Sequence, residues 1–209
     1  MRKPQMLLIG AGGHARSCID VIEQQDKFSV FGLIGNSSEL GLKVLDYEVI
    51  GTDDDFEKIV KKVHFALVVV GQIREPQTRM MLFRRAVSAG FRMPSVVSPT
   101  AYVSKSAHVG AGSIVMHGAT INSNVTIGDN CIVNSHALIE HDSQILDHCH
   151  ISTGVVVNGG VTVDSGSFIG SRSVIREGLH LEEFSVVSMG SIVSRWPIDQ
   201  DRDLGNNRE

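Results

Sequence analysis

The chain has 209 residues, 42% of them hydrophobic and 20% charged, with a formal net charge of -4 at pH 7. That length accommodates one or two domains with a real core. A pI near 6.1 without a basic block excludes nucleic acid as a main partner, because phosphate contacts need clustered Lys and Arg.

No apolar run reaches the roughly 18 to 20 residues that cross a bilayer. The short run at 6–9 stops at Gly10 instead of extending into a secretory signal. A cytoplasmic protein with no membrane partner is therefore expected. Residues 5–9 predict a short strand ending at Gly10-Ala11-Gly12-Gly13-His14-Ala15-Arg16, and Cys18, Ile19 and Ile22 come next at helical spacing. Strand, glycine turn and helix make the opening of a nucleotide-binding unit. A second strand is predicted over 29–34, a helix from near Thr52, a third strand over 65–70 and a helix over 74–89. This alternation implies a small α/β domain with a parallel sheet, taken as residues 1–92. Residues 91–99, punctuated by Pro94 and Pro99, read as the link to the second half of the chain.

Counted from Gly10, the turn fits a dinucleotide fingerprint with Ala15 in the last glycine's place. An NAD site also needs an acidic residue at the end of the second strand to hold the ribose, and this chain has Gly35-Asn36 there. A nicotinamide is not expected. Backbone N–H groups of Gly12 and Gly13, at a helix N-terminus, suit a phosphate or a sugar hydroxyl. The competing reading is a turn that needs glycine for steric reasons and binds nothing.

From Val103 to Val193 every sixth residue is Val, Ile or Leu, sixteen in succession. Four places after each of them the residue is small in nearly every hexad, as at Ala107, Ser113, Cys131 and Cys149. Three hexads make one triangular coil, and successive coils stack at about the 4.8 Å strand spacing. The aliphatic residues then fill the prism and the small ones fit where the chain turns. Cys131 falls over Cys149, but the small-residue rule accounts for both. Three cysteines give no disulfide framework, so reduced thiols are expected. The repeat resembles the hexapeptide-repeat family over 97–195. That resemblance implies a left-handed parallel β-helix, with 196–209 as a C-terminal tail, and a homotrimer, whose neighbouring subunits would cover the flat faces of short strands.

The Gly-x-x-Gly-His turn joined to a prism carrying Ile139-Glu140-His141-Asp142 resembles the family of sialic acid O-acetyltransferases and bacillosamine-pathway N-acetyltransferases. In plan it is most similar to members that use nucleotide-linked 4-amino-6-deoxy sugars. The resemblance implies transfer of acetyl from acetyl-CoA to the C4 amine of a UDP-, dTDP- or GDP-linked 4-amino-4,6-dideoxy sugar, for glycan or O-antigen lipopolysaccharide synthesis, with no metal. It puts the general base on His141 with Asp142 as its partner, the following histidine on His150 and the acetyl-contacting glycine on Gly159. It sets the sugar nucleotide against Gly12, Gly13 and His14, with Asn36, Gly71 and Arg74 completing the substrate side. Gly160, Gly170 and Ser171 are expected along the acetyl-CoA. Relatives often end the second strand with two acidic residues near the nucleobase. Here an amide, which both donates and accepts, stands where a carboxylate would only accept.

The residue types suit acyl transfer, which needs a neutral amine, a base for the proton released as nitrogen attacks the thioester, and donors for the developing oxyanion. An imidazole is mostly neutral at cellular pH. His141 sits near a corner of its coil with small stack neighbours, Ser123 and Gly159, eighteen residues away on either side. Asp142 can serve it only if the corner bends, since adjacent residues of a strand point apart. A Gly159 or Gly160 N–H would face the oxyanion. Three other readings stand beside this one. The first is O-acetylation of sialic acid or a related sugar. The second is a γ-type carbonic anhydrase, for which His136 and His141 have the ligand spacing but Thr100 stands where the third histidine should be. The third is a non-catalytic scaffold.

Overall fold

The computed structural model describes residues 3–73 and 75–197. Arg74, an expected substrate contact, and the tail from position 198 lie outside the described residues.

The first unit runs β1 (Gln5–Ile9), α1 (Gly13–Gln25), β2 (Ser29–Ile34), β3 (Lys43–Val44), β4 (Tyr47–Gly51), α2 (Phe56–Ile59), β5 (Phe65–Val68) and α3 (Gln77–Ser88). Its sheet has the order β3-β4-β2-β1-β5 and is parallel except for the β3–β4 hairpin. Because strand side chains alternate between faces, Met6 and Leu8 pack on α1 while Leu7 and Ile9 join Leu82, Phe83 and Ala86 of α3. The hairpin departs from the simple alternation predicted. Its turn puts Leu45 at a φ of 53°, a conformation a branched residue seldom adopts and therefore one its sequence does not announce. The helix expected over 74–89 starts only at Gln77, behind Pro76, and the strand expected over 65–70 ends at Val68. Thr52 caps a 3₁₀ turn, Asp53–Asp55, that leads into α2.

The second unit is the prism. It opens with β6 (Val96–Val97), inside the stretch read as a linker and already paired with Ile114–Val115. Strands β7 to β22 continue it, one two-residue strand every six residues from Tyr102–Val103 to Ile192–Val193. Each pairs in parallel with the strand one coil away, as Ile139 does with Val157, giving three faces. The fold is a left-handed parallel β-helix. The aliphatic series is buried from Val115 to Val193, and Val103 and Val109 are half-buried at the open first coil. The bend itself falls one residue before the small one. From Gly112 to Gly190 every sixth residue has a positive φ, including Asn124, His136, Asp142 and His148. Gly, Asn, Asp and His are the types that enter the left-handed region most readily. Cys131 and Cys149 are buried free thiols, each donating to a backbone carbonyl of the next coil.

The faces differ in what covers them. The face made of β6, β9, β12, β15, β18 and β21 carries the first unit: Val96, Ile114 and Ile132 share a core with Ala15, Cys18 and Ile22 of α1. Polar contacts fix this seam. Asp20 Oδ2 lies 2.8 Å from His117 Nε2, and Ser98 Oγ lies 2.7 Å from His117 Nδ1. The serine is buried, so the chain Ser98–His117–Asp20 joins the two units and does not present a nucleophile. Arg79, fully buried, donates to the carbonyls of Val68 at 2.7 Å, Val70 at 2.8 Å and Asn130 at 3.2 Å. Gln72 donates to His148 O and Gly166 O at 3.0 and 3.2 Å. A second face, β7 to β22 in steps of three strands, presents Tyr102, Thr120, Leu138, Val156, Val174 and Ile192 outward. The third presents His108, Thr126, Gln144, Thr162 and His180.

Candidate active site

His141 stands on the prism edge between the second and third faces, directly opposite the face that carries the first unit. The left-handed backbone at Asp142, φ 62°, folds its carboxylate back on its neighbour. Oδ2 lies 2.8 Å from His141 Nδ1. An ionised carboxylate only accepts, so Nδ1 carries the proton and Nε2 keeps the lone pair. The hydrogen bond to Asp142 holds the His141 pKa above its ordinary value. Asp142 is itself held below the usual carboxylate range, first by Asn124 and then by His141. Asn124 Nδ2 donates to Asp142 Oδ1 at 2.8 Å. Asn124 was missed from the sequence, although the 18-residue arithmetic that set Gly159 beside His141 also sets Asn124 against Asp142.

The imidazole faces an open cleft of about 600 Å³ lined by Glu140, His141, Asp142, Asn158, Gly159, Gly160, Glu177 and Gly178. Gly159 keeps it open, because a Cβ there would lie 2.8 Å from His141 Cε1 and 2.9 Å from Nε2. The two glycines expected at the oxyanion differ. Gly160 has φ 67° and spends its N–H on the His141 carbonyl at 2.9 Å. Among the described residues the Gly159 N–H has no backbone acceptor, so Gly159 is the available donor and the expectation for Gly160 is corrected. Gly170 and Ser171 belong to a different edge of the prism. Gly170 is buried under the next coil, where a Cβ would meet Met189 N at 2.5 Å, so its glycine answers to packing. Ser171 Oγ lies 2.9 Å from Ser152 Oγ.

A second cluster occupies the seam, away from the His141 cleft. His150 is buried. Its Nδ1 donates to Gln72 O at 2.5 Å and its Nε2 lies 3.2 Å from Asn134 Nδ2. Both ring nitrogens are thus in use, and the ring holds the two units together. His14 lies beside it, with ring centroids 6.5 Å apart, and its Nε2 is buried without a partner among the described residues. Burial pushes both rings down to about 4, with the Arg79 cation as a further cause.

The steric reading of the glycine turn holds for one of its glycines and not for the other two. Gly10 does need to be glycine: its φ is 120° and a Cβ would lie 2.6 Å from Val70 Cγ2. Gly12 and Gly13 do not, since a Cβ on either meets nothing within 4 Å. What their missing side chains provide is open space over the N-terminus of the 13-residue helix α1, which has no side-chain cap. Gly71, after β5, borders the same crevice: a Cβ there would lie 3.6 Å from His14 Cβ. Ligands of parallel sheets bind at this carboxyl end of the strands. A larger cleft of about 710 Å³, bordered by Lys3, Ser29, Lys62 and Phe65, lies at the opposite edge of the sheet, where no glycine turn faces it. Among the described residues no group of three or more His, Cys, Asp or Glu is placed to hold a metal ion. None of their helices is long and apolar enough to cross a membrane.

Known proteins share both units. Residues 5–86 match the PglD N-terminal domain, 106–141 the bacterial transferase hexapeptide of six repeats, and 160–195 the hexapeptide repeat of succinyl-transferase. The acetyltransferase domain of PglB from Neisseria gonorrhoeae FA1090, solved with acetyl coenzyme A, superposes with a TM-score of 0.83 at 24% identity, covering 92% of this chain and 91% of that one. Perosamine N-acetyltransferase from Caulobacter crescentus, solved as a histidine-to-asparagine variant with CoA and GDP-perosamine, gives 0.65 at 25% identity, covering 90% and 91%. WeeI from Acinetobacter baumannii AYE gives 0.58 at 16% identity, covering 90% and 95%. No curated protein sequence matches the chain.

Prism, cleft and matched domains define a hexapeptide-repeat acetyltransferase. With a PglD-type domain leading hexapeptide repeats, the chain is similar in plan to the acetyltransferase domain of PglB and to perosamine N-acetyltransferase.

Proposed function

We propose that the chain transfers acetyl from acetyl-CoA to the C4 amine of a nucleotide-linked 4-amino-4,6-dideoxy sugar, with His141 as general base. The observation that carries this reading is the His141 ring, oriented through Nδ1 by Asp142, with Nε2 facing a cleft that Gly159 keeps clear. As the neutral amine attacks the thioester carbonyl, the N–C bond forms and Nε2 takes the ammonium proton. The carboxylate of Asp142 stabilises the resulting imidazolium, and the Gly159 N–H donates to the developing oxyanion. Collapse of the tetrahedral centre expels CoA thiolate, which the imidazolium can reprotonate. The named ligands of the Caulobacter crescentus enzyme, CoA and GDP-perosamine, support the substrate class.

Geometry also supports a homotrimer. A nucleotide on Gly12 and Gly13 lies on the side of the prism opposite the His141 edge of the same chain. It therefore meets the His141 of a neighbouring subunit. The outward row of Leu138, Val156, Val174 and Ile192 borders that edge, and covering it removes apolar area from water.

The test is a thermal-shift panel of UDP, dTDP, GDP, CMP and NAD, together with light scattering. A ligand that binds the folded state raises its melting temperature. Stabilisation by one nucleoside diphosphate, on particles of three 22.6 kDa chains, is expected. Stabilisation by none of them overturns the nucleotide-sugar reading, and selective stabilisation by CMP favours the sialic acid pathway.

A further inference from the structure

We infer that Gln72 is a positioning residue, which sets the height of the glycine-turn crevice along the prism so that a bound sugar nucleotide meets the His141 of a neighbouring subunit; the inference rests on the sugar-nucleotide and homotrimer readings above. Gln72 follows Gly71 at the crevice and is buried in the seam, only 2% exposed. The prism edge beneath it carries a column of turn carbonyls, Asn130 O, His148 O and Gly166 O, which repeat every coil at about 4.8 Å. Among the described residues no backbone N–H donates to these three oxygens. On the His141 edge the equivalent residues, Asn124, Asp142, Gly160 and Gly178, are exposed, and water can serve their carbonyls. Asn130, His148 and Gly166 are buried, so their carbonyls need donors from the protein.

Two side chains of the first unit supply them. Gln72 Nε2 donates to His148 O at 3.0 Å and to Gly166 O at 3.2 Å, and Arg79 Nε donates to Asn130 O at 3.2 Å. Arg79 also holds Val68 O and Val70 O, and Gln72 O accepts from His150 Nδ1. The end of β5 and the crevice wall at Gly71 are thereby tied to successive coils of the prism. The apolar contacts of the seam cannot fix that height, because hydrophobic attraction is non-directional. A hydrogen bond fixes both distance and angle.

Height decides what the crevice faces. Rotation about a three-fold axis parallel to the prism carries one subunit onto the next without changing height. Along the chain His148 comes seven residues after His141, and Gly166 seven after Gly159, less than half a coil in each case. A crevice tied to His148 and Gly166 therefore stands level with the neighbour's His141 and with the gap that Gly159 leaves beside that ring.

The experiment compares the full wild-type chain with Gln72→Met and Gln25→Met. Methionine matches glutamine in length and carries no donor. Gln25 Nε2 donates to Val97 O at 3.1 Å, in the same seam but almost three coils before His148, so its loss reports what a seam hydrogen bond contributes to stability alone. Calorimetry gives the affinity for UDP, dTDP and GDP. Release of CoA thiol gives kcat with acetyl-CoA and the 4-amino-4,6-dideoxy sugars linked to the nucleotide that binds. Both variants should melt a few degrees below the wild type. Gln72→Met should bind the preferred nucleotide within twofold of the wild type, because the crevice belongs to the first unit. Its kcat should fall about ten- to a hundredfold, the scale of a misplacement of roughly 1 Å, while Gln25→Met keeps both affinity and kcat. Gln72→Asn, with the amide on a stem one methylene shorter, should show the same split and replaces Gln72→Met where that variant does not fold. A kcat of the Gln72 variant within threefold of Gln25→Met, or a loss of nucleotide affinity equal to the loss of kcat, overturns this inference alone. A wild type that binds none of the three nucleotides, or acetylates none of the sugars, overturns the sugar-nucleotide reading and this inference with it.

Discussion

The imidazole of His141 lies so close to Gly159 on the next coil that a Cβ at residue 159 would meet two of its ring atoms at 2.8 and 2.9 Å. The ring is exposed at its edge, so it can swing away without disturbing the core. Gly159→Ala is accordingly expected to lower kcat about ten- to a hundredfold by displacing the base, the scale on which small misplacements act. The melting temperature should stay within about 2 °C, since surface changes that leave packing intact are nearly neutral. Steady-state kinetics beside a thermal melt check both halves.

The pH profile of the wild type should rise through a pKa above the ordinary histidine value, because the Asp142 hydrogen bond stabilises the protonated ring while catalysis needs the neutral one. Asp142→Asn removes that charge yet keeps a residue type tolerated at positive φ. The acidic limb should then move to lower pH, and kcat should fall as the ring loses its orienting partner. A limb that moves to higher pH, or does not move, contradicts the assigned roles.

Stability and binding should separate at the turn. Gly13 is the first residue of α1, and a Cβ there meets nothing. Gly13→Ala should leave the free protein as stable or raise its stability by up to about 1 kcal/mol. The added methyl group nevertheless intrudes on the space over the helix N-terminus, so KM for the sugar nucleotide should rise severalfold at unchanged kcat. Denaturant unfolding and a KM series make the comparison.

Acid should loosen the seam. His14 and His150 are held down to about 4 in the folded chain by burial, below the roughly 6.5 of an unfolded histidine. The folded state therefore binds fewer protons than the unfolded state between those values. The stability tied to these rings is complete above about pH 6.5 and is lost as pH falls toward 4, by roughly 3 kcal/mol per ring. Urea midpoints at pH 7.0, 5.5 and 4.5 should fall in that order. A midpoint constant across the series contradicts the buried, neutral assignment.

The prism was legible because one period governs both its interior and its bends: Ile139 and Val157 announce the stack, and the same count of eighteen pairs His141 with Gly159. The first strand and glycine turn were legible for a similar reason, a local pattern with a local cause. The β3–β4 hairpin was not, because Leu45 turns the chain in a conformation its residue type disfavours. The commitment of His150 to Gln72 and the reach of Arg79 to Asn130 depend on how the two units dock, which no spacing within either encodes.

The most direct test of the account is the kcat of His141→Ala and His141→Asn on acetyl-CoA and the nucleotide sugar that binds. General-base catalysis predicts a loss of about 10² to 10⁴ in kcat with KM for both substrates nearly unchanged. A kcat within threefold of the wild type contradicts His141 as the base, and the proposed mechanism with it.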